Sequence, residues 1–127
     1  MATTPNFAST VKVGLGALAT ADAARTGTPT NVVTIFTAGA SGSRIDEVNV
    51  IATGTTTSGV VRPWIFNGTT YFLFEEILVT AITPSTTIAT FNTTLTFNNF
   101  MLPTGHSLRA TTNNTEGFNV IAFGGDF

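Results

Sequence analysis

Few residues in this 127-residue chain could do chemistry. Histidine occurs once, at His106, and cysteine is absent, which removes disulfides, thiolate metal ligands and thiol nucleophiles. A lone histidine can serve as a general base or a metal ligand. A nucleophilic set would also need an activated serine. Ser9, Ser41, Ser43, Ser58, Ser85 and Ser107 fall in loop-like stretches or beside His106, and no Gly-x-Ser-x-Gly elbow is present. His106 precedes Leu108 and Ala110 by the strand period, after the Pro103-Thr-Gly105 turn, and reads as a structural or surface residue.

The carboxylates are more informative. Glu75 and Glu76 stand in the middle of the run Tyr71-Phe-Leu-Phe-Glu-Glu-Ile-Leu-Val79. On one continuous strand they point to opposite faces, so at least one stands among apolar side chains. A carboxylate there costs free energy unless it is paired. Arg44, Arg62 and Arg109 are the available partners, from the same chain or a neighbouring subunit. Asp46-Glu47 has the same opposed geometry. A glycosidase needs two carboxyls roughly 5–10 Å apart across a sugar, but neighbouring strand positions do not make a cleft. Calcium needs several oxygen ligands in one loop, and the loops here carry Gly and Thr rather than Asp. The expectation is a protein without catalytic residues, cofactor or metal.

Trp64 is the only tryptophan and Tyr71 the only tyrosine, on the two arms of a hairpin signalled by Asn67-Gly68. An Asn-Gly pair suits a type I′ turn, which needs φ > 0 at both central residues. Trp64 and Phe66 share a strand face with Arg62, while Val61 and Ile65 take the other. The two aromatics are either core or exposed anchors for a sugar or an interface. Gly14-Leu-Gly16 lacks a third glycine and a following helix, so it is no phosphate loop.

The elements that must position these residues are strands. Threonine supplies 27 residues while charged residues make up only 9%. Threonine is β-branched and uncharged, which suits the outward face of a strand. Period-2 alternation appears at Val11, Val13 and Leu15 against Lys12, Gly14 and Gly16. It recurs at Val48, Val50 and Ala52, and at Phe91, Thr93, Leu95 and Phe97. Further strand-like runs are Asn31–Thr37, Val60–Phe66, Tyr71–Thr80, Leu108–Thr112 and Phe118–Phe123. Pro63 cannot donate to a ladder, so its strand is at an edge or bulged there. The only helical candidate, Thr20–Arg25, is one turn at most. About eight short strands without intervening helices predict an all-β, antiparallel jelly-roll sandwich over residues 31–127. Residues 1–30 are expected to form a less regular N-terminal arm plus the first strand.

Five basic residues scattered along the chain, with a net charge of −2, form no basic cluster, so no nucleic-acid partner is expected. No apolar run approaches the ~20 residues of a membrane helix, and the first residues do not read as a signal peptide. Three Asn-x-Thr sequons, at Asn67, Asn92 and Asn113, are what an Asn- and Thr-rich chain contains by chance.

Four pieces in order carry a resemblance: Arg44-Ile-Asp-Glu-Val-Asn-Val-Ile-Ala52, Val60-Val-Arg-Pro-Trp-Ile-Phe-Asn-Gly68, Leu73-Phe-Glu-Glu-Ile-Leu-Val79, and Leu102-Pro-Thr-Gly-His-Ser-Leu-Arg109 with Phe118-Asn-Val-Ile-Ala-Phe-Gly-Gly-Asp-Phe127. This arrangement resembles the small jelly-roll capsid decoration, or cement, proteins of tailed bacteriophages. The resemblance implies a non-enzymatic virion protein, made in the bacterial cytoplasm. It would bind the outside of the capsid as a homotrimer and bridge major capsid subunits. An interface would then draw on Thr3, Thr4, Pro5, Asn6 and Phe7 of the arm, and on Arg44, Arg62, Trp64, Glu75, Glu76 and Arg109. The alternative is a glycan-binding jelly-roll module of a phage tail fibre or baseplate, using Trp64 or Tyr71.

Overall fold

The computed structural model describes residues 9–127. The arm positions Thr3, Thr4, Pro5, Asn6 and Phe7 lie outside the described residues. Among those described there are nine strands and no helix: β1 (Thr10–Leu18), β2 (Val33–Thr37), β3 (Ser43–Ala52), β4 (Gly59–Phe66), β5 (Tyr71–Leu73), β6 (Ile77–Val79), β7 (Asn92–Leu102), β8 (Ser107–Thr112) and β9 (Phe118–Asp126). They form two antiparallel sheets. One has the order β1-β9-β3-β7; the other has β2-β8-β4-β5, with β6 beside β5 on the same edge of β4.

The two sheets enclose one apolar core. Val48, Val50 and Ala52 of β3 and Phe118, Val120 and Ala122 of β9 point into it, as their alternation requires. Ile35 and Phe36 of β2, Val61 of β4 and Leu108 and Ala110 of β8 meet them from the opposite sheet. In β7, Leu95 and Phe97 pack inward while Asn92, Thr94 and Thr96 stay exposed.

β1 departs from the usual rule. Its apolar residues Val11, Val13 and Leu15 face outward, and Gly14 and Gly16 face the core. The reason is a close approach of β1 to β2. A Cβ on Gly14 would stand 2.3 Å from the Ile35 carbonyl oxygen, and one on Gly16 would stand 2.3 Å from Ile35 Cδ1. A side chain at either of these two positions would push β1 off the sandwich, whereas Leu18, farther along the same face, packs into the core.

The single strand expected over Tyr71–Thr80 is broken. β5 pairs with Trp64–Phe66 and β6 with Gly59–Val61, and Phe74-Glu75-Glu76 lies between. The break sets both carboxylates at the surface, where a continuous strand would have turned one of them toward the core. It also solves the Pro63 problem. Phe74 N donates to the Pro63 carbonyl at 3.0 Å, so the side of Pro63 that lacks an N–H faces the gap. β4 is thus an interior strand whose ladder is interrupted where the proline cannot donate.

Two turn expectations change. The Asn67-Gly68 hairpin exists, but with a four-residue connection in which only Gly68 has positive φ, at 101°. Asn67 instead accepts hydrogen bonds on Oδ1 from Thr69 N (3.0 Å) and Thr70 N (2.7 Å), an Asx-type closure. Thr20–Arg25 is not helical. Ala21 bridges Thr112 in parallel, and Asp22 closes the loop from within.

Candidate functional site

The Asp22 carboxylate accepts hydrogen bonds from the backbone N–H of Ala24, Thr30 and Asn31, at 3.0, 2.7 and 2.9 Å. Burial pushes its pKa up, but these three N–H groups and the nearby Arg62 charge outweigh it and hold the carboxyl below its ordinary value. The loop between β1 and β2 is thereby folded over the outer face of β4.

Beneath that loop sit Arg62 and Trp64, both expected at an interface and both buried, at 2% and 0% exposure. They alternate with Val61 and so project from β4 away from the main core. Arg62 donates to Asp22 O and to Asn113 Oδ1, each at 3.1 Å. Its Nε lies 3.5 Å from Glu76 Oε2 without hydrogen-bond alignment, so that attraction is coulombic. Glu76 is also gripped by Arg25, at 2.8 and 3.2 Å. The Arg25 hydrogen bonds hold the Glu76 carboxyl below its ordinary value, against the upward pull of burial, with the charges of Arg25 and Arg62 assisting. Trp64 donates from Nε1 to Thr111 Oγ1 at 3.0 Å and meets the Tyr71 ring edge-on. Neither Arg62 nor Trp64 has surface left for a partner.

The remaining sequence candidates also find partners within the chain. Arg109 lies over the Phe66 ring at 4.1 Å and donates to Tyr71 OH at 2.8 Å. Arg44 pairs with Asp46 at 2.7 Å, across a bulge that places Asp46 outside the ladder. Glu75 is exposed and its Oε1 accepts from Glu76 N. His106 sits at the turn before β8, with Nδ1 3.5 Å from Thr104 O. Among the described residues, no group of three or more His, Asp or Glu could hold a metal ion.

One polar cluster escaped sequence reasoning. Asp126, near the chain's end, accepts from Ser43 Oγ and from Lys12 Nζ (3.1 Å). Lys12 also donates to Thr37 O and stands over the Phe36 ring. The Ser43 hydrogen bond, with Lys12 and Gly39 N behind it, holds the Asp126 carboxyl below its ordinary value against some burial. The cluster ties β1, β2, β3 and β9 together. Its members are scattered from residue 12 to residue 126, and no local signal marks them.

The most distinctive surface is the outer face of β1 and β9. Val11, Val13 and Leu15 are 93%, 53% and 68% exposed, and Phe123, paired with Val13, is 42% exposed. Ile121, paired with Leu15, adjoins them. Farther across the same face, β3 and β7 present Asn49, Thr94 and Thr96. Glu47, opposite Phe123, and Arg44, in the row of Val11 and Gly125, stand on the same face, with Met101 on the far edge. The face is therefore apolar along its β1 edge and mixed beyond it, with neutral-polar and charged groups. Comparison with known proteins finds no matching family model, no matching curated protein and no matching solved structure.

Proposed function

We propose that this chain is a jelly-roll structural protein that binds the outer surface of a phage capsid as a trimer and stabilises the mature head. Strand pairing supports the jelly-roll part. If β5 and β6 are taken as one interrupted strand, the antiparallel pairs nest as β1 with β9, β2 with β8, β3 with β7, and β4 with β5–β6. Nested pairs shared between two sheets are what a double Greek-key jelly roll would produce, and they support that reading.

The apolar outer strip on β1 and β9 is the observation that carries the assembling role. Monomeric proteins seldom leave a contiguous apolar patch of several hundred Å² open unless it is used. A subunit that recognises only the assembled shell stabilises it by mass action, and many copies make weak individual contacts sufficient. The glycan-binding alternative loses its best anchor, because Trp64 is buried and the Tyr71 hydroxyl is engaged by Arg109. The test is co-sedimentation of purified protein with expanded, undecorated capsids. The proposal expects saturable binding with three copies per site; no binding at saturating protein rejects it.

A further inference from the structure

We infer that the β1–β9 outer strip is the seam along which copies of this chain meet one another. The inference rests on the reading of the chain as an assembling subunit and names the surface involved.

Area favours a second copy as the occupant. The four exposures of Val11, Val13, Leu15 and Phe123 amount to about two and a half whole side chains, on the order of 400 Å² of apolar surface. That is about half of what one partner contributes to a standard interface of ~800 Å² per side. Ile121 and the backbone of the edge strand add to it. The strip's own chemistry points the same way. Val11, Val13, Leu15, Ile121 and Phe123 include no charge. Charge enters only at the border, where Glu47 stands opposite Phe123 on β3. The strip itself offers a partner apolar surface, and the same strip on another copy matches like with like.

Position in the fold is the third argument. β1 is the edge strand of its sheet and pairs on one side only, with β9, among the described residues. Strips at the margin of a sandwich can converge on a common axis without the rest of the sheets colliding. The polar half of the face, where Thr94 donates to Asn49 Oδ1 at 2.9 Å, then stays in water. Apolar side chains on an uncovered edge strand are otherwise an aggregation hazard.

The experiment is molar mass by light scattering across a dilution series, with circular dichroism as the check on folding. The wild type should run as an oligomer of the 13.2 kDa chain. The double variant Val13→Asp, Leu15→Asp should keep its β spectrum and associate at least roughly thirty-fold more weakly, the effect of losing one hot-spot residue. Leu78→Asp, on the other sheet and 70% exposed, should associate like the wild type. If the double variant does not fold, Val13→Thr with Leu15→Thr makes the same test with a smaller expected loss. A wild type that stays monomeric at high concentration overturns the inference and leaves the strip to a capsid subunit or to residues 1–8. An oligomer unaffected by either double variant overturns the seam while leaving the assembling role intact. A dimer lost in the variants supports the seam and refutes the trimer.

Discussion

Replacing Gly14 with alanine tests the inverted face of β1 directly. The new Cβ would lie 2.3 Å from Ile35 O and 2.9 Å from Phe36 Cβ. Neither can be relieved by rotating a flexible side chain, because one is backbone and the other is anchored to it in β2. Overpacking of this kind costs about 1–3 kcal/mol. The reduced freedom of the unfolded chain offsets only ~0.4–1 kcal/mol. A net loss of about 1–2 kcal/mol is expected, or ~3–10 °C in Tm for a chain of this size. Its neighbour Val13 should behave oppositely. In dilute solution Val13→Thr should stay within ~0.5 kcal/mol of wild type, as for other exposed positions. Gly54, with nothing within 4 Å of its Cβ position, is the matched control, and Gly54→Ala should cost nothing. Urea unfolding followed by Trp64 fluorescence measures all three, with constant m-values as the check on two-state behaviour. If Val13→Thr proves more costly than Gly14→Ala, then β1 buries its apolar face and the argument built on the outer strip fails.

Trp64, fully buried as the only tryptophan, should emit at short wavelength and resist iodide quenching in the native state, and ready quenching would reopen the glycan reading. Arg62→Met should cost about 1–3 kcal/mol in urea unfolding, because Asn113 Oδ1 and Asp22 O lose their donor beneath the loop; an unchanged midpoint would mean the loop is not held there. Asp22, Glu76 and Asp126 all have folded pKa values below their ordinary ones. Each therefore adds stability that is present above the unfolded value, near ~4, and is lost as the pH falls through the depressed folded value. Asp126→Asn should flatten that acid limb, and an unchanged slope below about pH 5 would show that the carboxyl is not held in its ionised form.

Legibility in the sequence varied with how local the cause was. β3 and β7 were readable because their alternation has a polar partner set, so the faces could be told apart. β1 alternates just as cleanly, but a period of two says only that there are two faces. Which one turns inward depends on how close β2 comes, and β2 lies on the other sheet. The Glu75-Glu76 pair did signal trouble in a continuous strand. The chain answered by breaking the strand, which also accommodates Pro63 on the neighbouring strand. Trp64 and Arg62 were correctly placed together on one face of β4. Their burial comes from a loop some 40 residues earlier, closed by Asp22, and no pattern near either residue announces it. The Arg25–Glu76 pair spans 51 residues and was invisible for the same reason.

The few charges now carry a different meaning from the one their scarcity first suggested. Lys12 pairs with Asp126, Arg25 and Arg62 with Glu76, and Arg44 with Asp46, while Arg109 rests on Phe66 and Tyr71. All five basic residues are thus engaged inside one chain. None of the five is left free for a partner, and the β1–β9 strip is the run of exposed apolar residues on adjacent strands, so association along it should depend mainly on shape and burial. Raising salt from 0.1 to 1 M shortens the Debye length from ~10 to ~3 Å and would weaken an interface built on exposed ion pairs. Apolar burial does not lose strength in this way. Self-association measured by sedimentation equilibrium should therefore change by less than about threefold over that range, under half the free energy of a tenfold step. A tenfold or greater weakening would mean that Arg44, Glu75 or another charge reaches across to a neighbour after all, and would return the interface to the charged residues.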